Sequence, residues 1–281
     1  MQRGFYASWI FNGIGESMSY STIRRTIKEA LVYRFSRPQP LCHPMQFVGP
    51  VLVVGSAPGS NRPKGFDESF SVLTVNGSQS VAKKWGIAKP DATFLQFAQV
   101  EGKNQNAVAV RRLLNGEQTG ILHVLRWQWD EQRLRDGLAA FHYRYDQLRL
   151  VNKYQRMALH EAVMGTRHSE LDNAGKFSNG ITAVLYAFNS GASAVVISGI
   201  NPSSTGHDYN ELGLRRLHSD MDRSILLKLH SRGAKIFTAD PEVAVSTGLP
   251  LWQGNAMCGG KDVGLTYTPD ISATGRQTPE R

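Results

Sequence analysis

Residues 176–201 read KFSNGITAVLYAFNSGASAVVISGIN, and this stretch decides the fold class. Ile181, Val184, Leu185 and Phe188 recur at helical spacing, and Gly191 stands where such a helix would end. The run from Ala194 to Ser198 then has no alternation of apolar and polar residues. A strand apolar on both faces, fed directly by a helix, belongs to a parallel sheet covered on both sides.

Upstream, PVLVVGSAPGS at 50–60 repeats the theme, with a short apolar strand over Val51 to Val54 and a Gly/Pro loop after it. SVLTVN (71–76) and DATFLQF (91–97) are further strands, with a helix over GSQSVAKKWG (77–86) between them. Helical and strand patterns alternate through 100–170 as VAVRRLL, GILHVLR, QLRLV and NKYQRMALHEAVMG, without indicating a strand order. Downstream, HSDMDRSILLKLHSRG (218–233) is a helix whose Ser219 and Asp222 have capping-box-like spacing. AKIFTAD is a last strand, and PEVAVSTGLPLW is a closing helix or turn. The alternation predicts an α/β fold, a Rossmann-like, doubly wound, mainly parallel sheet.

Around this core, residues 1–46 read as an N-terminal extension ending in the proline-marked SRPQPLCHP. Residues 47–258 form the Rossmann-like domain, with 201–217 as a short lid, and 259–281 a polar tail. The extension carries Arg24, Arg25, Lys28, Arg34 and Arg37 on a helical segment whose apolar side would be Ile23, Ile27, Leu31 and Tyr33. Such a helix either docks on the domain or touches an anionic membrane from the side.

The formal charge of +9 calls for an acidic partner, whether a membrane surface or a phosphate-bearing molecule. Nucleic acid is disfavoured, because the basic residues form no long run and no nucleic-acid motif is present. No apolar run reaches the roughly 18 residues a spanning helix needs, and the N-terminus lacks a secretory pattern. An intracellular protein is therefore expected, and Cys42 and Cys258 are too few for a disulfide framework.

Four places carry candidate chemistry, each just past a strand or at a helix start, the ligand edge of an open α/β sheet. They are the loop with Gly55, Ser56 and Pro58; Asn76; Ser178-Asn179-Gly180; and Ser198-Gly199 with Asn201. Glycine loops and helix starts suit a phosphate, yet each place also reads as a simple turn or cap. The loop has neither a Walker sequence nor the third glycine of a dinucleotide fingerprint. His218, immediately before a helix, would be held neutral by the helix dipole and so could serve as a general base. His207-Asp208 could do the same work. No His, Asp and Glu set has metal-ligand spacing, so no metal is expected.

Taken together, VLVVGSAPGS, VLTVNGSQS, FSNGITAVLYAFNSGASAVVISGIN and HSDMDRSILLKLHSRGAKIF resemble the bacterial sialyltransferases of glycosyltransferase family 42 in order and spacing. The likeness covers roughly 50–80 and 172–252, somewhat under half of the chain. It implies an inverting, metal-independent transfer from CMP-sialic acid, with no cofactor, onto a glycan acceptor of the cell surface, made from the cytoplasmic side. It places Ser56 and Asn76 near the donor, Ser178, Asn179 and Gly180 around its sugar or ribose, Gly199 near the base, and His218 as the base. Lys176 falls where the family has an arginine. The sequence departs from the family pattern at GSAPG, where the family has GNGPS, and at SGIN in place of SGID. Of the two tyrosines expected on the leaving phosphate, only Tyr209 is near. The same layout is similar to the MptE-like pterin pyrophosphokinases, and a non-catalytic nucleotide-binding relative is the third reading.

Overall fold

A computed structural model describes residues 20–126, 130–169, 175–209 and 218–254. In chain order the elements are α1 (Tyr20–Ser36), β1 (Pro50–Val54), β2 (Ser71–Val75), α2 (Gln79–Lys84) and β3 (Ala92–Gln96). Then come α3 (Phe97–Glu101), α4 (Gln105–Leu114), β4 (Gln118–Leu125), α5 (Glu131–Ala139) and β5 (Arg144–Val151). The chain closes with α6 (Lys153–Met164), α7 (Asn179–Asn189), β6 (Ala194–Ser198), α8 (Ser219–Ser231), β7 (Ile236–Thr238) and α9 (Pro241–Thr247).

Among the described residues the strands form one seven-stranded sheet in the order β5-β4-β3-β2-β1-β6-β7, with every pairing parallel. This is the predicted doubly wound architecture. Alternate residues of β1 and β6 feed opposite cores. Val51, Val53, Val195 and Ile197 pack against α7 and α8, while Leu52, Val54 and Val196 pack with α2 and Trp252. A third cluster joins α4 and α5 to β3 and β4. The chain builds outward from β1 to β5, then returns through α6 and α7 to lay β6 on the other side of β1. The order therefore reverses between β1 and β6, the switch point at whose carboxyl ends ligands bind in such sheets.

Helix boundaries follow local chemistry. Asn152 caps α6 in a capping box with Gln155, and Gly165 ends it with φ 65°. Ser178 caps α7, its Oγ accepting from the Ile181 N–H at 3.2 Å. At α8 the cap differs from expectation: His218, not Ser219, holds the N-cap position. Helix α5, for which the sequence reading had no counterpart, starts on Asp130, which accepts from the Arg133 N–H.

The proline-marked segment is packed, with Leu41 and Phe47 in the main core. The Phe47 N–H donates to the Ser190 carbonyl and Asn189 to that of Leu41. Helix α1 docks with the opposite side from the one its apolar residues suggested. Glu29 is its buried residue, while Ile23, Ile27 and Leu31 are exposed. Tyr33, assigned to the apolar side, instead donates its hydroxyl to Glu161 of α6. The 259–281 tail, Cys258 and the 210–217 part of the lid lie outside the described residues.

Candidate active site

The loop after β1 and the exit of β6 are clamped together. The Gly55 N–H donates to the Ser198 carbonyl at 2.7 Å, and the Ala57 N–H to that of Gly199 at 2.8 Å. A Cβ at Gly55 would run into the Gly199 carbonyl and come within 2.7 Å of Ile200. At Gly199, whose φ is +67°, a Cβ would lie 2.6 Å from the Gly55 carbonyl oxygen. These glycines are thus required for close approach of two backbones. The loop is less of a phosphate cradle than its composition suggested. The N–H groups of Gly55, Ala57 and Asn61 are already used, and Pro58 has none.

Beneath the clamp lies a buried carboxylate that the sequence reading missed. Asp240, between β7 and α9, accepts from the backbone N–H groups of Gly199 and Asn61, both at 2.7 Å. Burial pushes its carboxyl above the ordinary carboxylate range, against the pull of these hydrogen bonds. Ser198 is fully buried, its hydroxyl between the Asn61 carbonyl and Asp240 Oδ1, so it braces the edge from inside. Pro58 and Asn201 lie toward α9, lining an open cavity of about 540 Å³ with Gly59, Ser204 and Glu242. The Asn201 side chain accepts from the Ser203 N–H.

The other side of β1 gathers most of the remaining predicted residues. Asn76 leaves β2 at φ 50°, a left-handed conformation that asparagine tolerates better than most. Its Oδ1 accepts from the Gln96 N–H at 3.1 Å, and the Asn179 amide lies 3.5 Å from it and 3.3 Å from Gln96 Oε1. Three amides thus meet where β2, β3 and the start of α7 converge. Gln96 was missed by the sequence reading; its signal was its place as the last residue of DATFLQ, one strand over from Asn76.

At the start of α7, Ser178 takes up the Ile181 and Thr182 N–H groups, and its own N–H donates to Asp222 at 2.8 Å. Among the described residues the Asn179 and Gly180 N–H groups have no partner, which leaves the positive end of the helix able to receive an anion. A Cβ at Gly180 would press on Ile200 at 3.2 Å, so glycine lets α7 sit close to the β6 exit. Asp222 is buried, and its own N–H donates to the His218 carbonyl at 2.9 Å. Asp222 therefore ties the residue that precedes α8, through its backbone N–H, to the residue that caps α7, through its carboxylate. This brings His218, half-buried, to the same edge as Ser178.

The approach to Ser178 is braced from below. Arg156 is fully buried, donates to the Phe177 carbonyl at 2.8 Å and places its guanidinium 4.6 Å over the Phe177 ring. His160 and His168 flank the same ring. From above, the lid's described start folds over the β1 loop. Ser56 Oγ and His207 Nδ1 are 2.8 Å apart, and the Asp208 N–H donates to the Ser56 carbonyl. Tyr209 stacks on His207 at 5.0 Å and covers Gly77, where a Cβ would meet its ring at 2.8 Å. His207 is thereby tied to the lid and Ser56, whereas His218 belongs to the α7–α8 junction.

No protein-family model and no curated protein matches the chain. Among solved structures it is similar to the Campylobacter jejuni sialyltransferase CstII in complex with the substrate analogue CMP-3FNeuAc. That likeness has 14% identity over 73% of this chain and 86% of the other, with a TM-score of 0.44. It is also similar to the monofunctional α-2,3-sialyltransferase Cst-I of the same organism, at 14% identity over 76% and 82% of the two chains, with a TM-score of 0.47.

Proposed function

We propose that this protein is a glycosyltransferase of the sialyltransferase type. It moves a sugar from a CMP-linked donor such as CMP-sialic acid to a hydroxyl of a glycan acceptor, with inversion and without a metal. The observation that carries this reading is the junction of α7 and α8. There an anion-receptive helix start, three converging amides and His218 lie at one strand edge.

In this reading the donor phosphate faces the Asn179 and Gly180 N–H groups, with Ser178 shaping that turn. Asn76, Asn179 and Ser56 hydrogen-bond the donor, Gly199 lets its base approach the β6 exit, and Tyr209 closes over it from the lid. Gly55, Ser198, Pro58 and Asn201 form the wall of the site. As the acceptor oxygen bonds to the anomeric carbon, its proton passes to His218. The bond from that carbon to the phosphate oxygen breaks, and CMP leaves with the electron pair. Contact with an anionic membrane is a separate proposal.

His218→Ala should lower kcat by about 10²–10⁴-fold while CMP still binds. CMP at a hundred times its dissociation constant should stabilise the fold by about 2.7 kcal/mol, seen as a thermal shift. Undiminished transfer by the variant removes the base assignment. A shift with ATP and Mg²⁺ but none with CMP, or loss of activity in EDTA, replaces the reading with a pyrophosphokinase.

A further inference from the structure

Helix α1 is held to the domain by polar contacts and turns its apolar residues outward. Its buried residue is Glu29, 4% exposed, paired with Lys153 of α6 at 2.9 Å and also bonded by Ser169. One turn on, Tyr33 bonds Glu161, and Arg167 stacks over the Tyr33 ring at 5.0 Å. On the far side Tyr20, Ile23, Ile27, Leu31 and Phe35 follow steps of three and four residues and form one continuous stripe. Their exposures are 82%, 43%, 55%, 49% and 79%, whereas a helix that merely covers a domain buries this stripe.

The charge around the stripe has one sign. Glu29 is the only acid in α1, and Lys153 pairs it from beneath. Arg24, Lys28 and Arg34 flank the stripe and make no ion pair among the described residues. At the C-terminal end of α1 an open cleft of about 490 Å³ is lined by Leu31, Tyr33, Arg34, Arg37 and Arg167 and by no carboxylate. Leu31 borders both the stripe and this cleft.

We infer that this face of α1 is a docking surface for an anionic bilayer. The stripe enters the level between headgroups and acyl chains, and the arginines of the cleft receive headgroup phosphates. Charge decides between the occupants. A second copy of the chain would set these cations against themselves across a two-fold axis, whereas an anionic lipid surface neutralises them while burying the stripe. Aromatic residues stand at the two ends of the stripe, as suits the boundary between lipid and water.

Vesicle flotation of the full chain, without substrate, tests the surface independently of the reaction. Phosphatidylglycerol-containing vesicles should carry the protein and pure phosphatidylcholine vesicles should not, and binding should fall as salt rises. Arg34→Gln with Arg37→Gln should lower partition about fivefold for each charge removed. Ile27→Asp with Leu31→Asp should abolish it, while the circular dichroism spectrum and thermal midpoint stay unchanged because these side chains are exposed. The inference fails if the wild type floats with neither vesicle, or equally with both, or if the variants partition like the wild type. It also fails if flotation appears only after residues 1–19 are removed, for then that segment is the occupant. Saturable binding of inorganic phosphate without flotation, or a dimer that Leu31→Asp dissolves, would likewise overturn it.

Discussion

The two sides of β1 are built differently. Toward β6 the backbone is clamped by hydrogen bonds of 2.7–2.8 Å, and the Asp240 carboxylate beneath it is satisfied by groups from two segments, the β1 loop and the β6 exit. Toward β2 and β3 the edge is closed by amide contacts of 3.1–3.5 Å and by a helix start with two N–H groups that have no partner among the described residues. A satisfied, glycine-tight edge can serve a ligand mainly as a wall that it approaches closely. A loosely bonded edge with donors to spare has groups left to bond it. The difference teaches that the switch point has a scaffold side and a chemical side, although both carry the glycines and short polar residues that look alike in sequence.

The clamp gives the sharpest test of that division. Gly199→Ala adds a Cβ against the Gly55 carbonyl at a residue whose φ is +67°. Left-handed strain of about 1–2 kcal/mol and overpacking of about 1–3 kcal/mol should together cost about 2–5 kcal/mol. Urea unfolding measures this. A loss well below 1 kcal/mol would mean that the two exits can part, and the scaffold side would lose its meaning.

Acid should attack the chemical side through its support. His123 is fully enclosed, stacked on Phe94 at 4.6 Å and edge-on to Tyr186 of α7, and burial, followed by Arg149 and His43, lowers its pKa to about 3. His160, in the cluster around Phe177, is lowered to about 4, again mainly by burial. Both values lie below the ordinary 6.5, so the unfolded chain binds more protons than the folded one between them. Stability is therefore complete above pH 6.5 and is lost as pH falls toward 4, by about 1.4 kcal/mol per pH unit for each histidine. His123→Leu should remove about half of that slope in unfolding curves taken at pH 7, 6 and 5. An unchanged slope would place the acid-sensitive groups elsewhere.

Much of the fold was legible because buried parallel strands are written as plain apolar runs. Val51–Val54 and Ala194–Ser198 belong to interior strands, buried throughout, and read directly as strands. Edge strand β5, RYDQLRLV, is half polar and was legible only in part. The strand order was not legible, since it depends on which exits pack together. His218, Asn76 and Ser178–Gly180 were found because helix starts and strand ends have local signatures. Asp240 and Gln96 were not named, and Asp222 was read only as a capping-box partner of Ser219, because their roles depend on partners 41, 20 and 44 residues away, as in the bonds Asp240–Gly199, Gln96–Asn76 and Asp222–Ser178. The orientation of α1 escaped for the same reason. One glutamate with a lysine 124 residues distant outweighed a whole apolar stripe.

The smallest expected change in stability carries the most information about the site. Asn179 is the first residue of α7, half-buried, and among the described residues its amide makes only the two long contacts to Asn76 and Gln96. Contacts at 3.3–3.5 Å between neutral groups are weak, so Asn179→Ala should cost less than about 1 kcal/mol in urea unfolding. If the amide trio is a fragment of the fold, nucleotide binding should be equally indifferent to the change. If it hydrogen-bonds the donor, as proposed, CMP affinity measured by calorimetry should fall about 10- to 150-fold, because one hydrogen bond to a charged or strongly polar ligand group is worth about 1.5–3 kcal/mol. A fold left intact with CMP binding reduced would separate the chemical side from the scaffold side within a single helix turn. A fold weakened by several kcal/mol would instead make the trio a second clamp, and the search for donor contacts would move to the lid, where Ser56 and His207 meet.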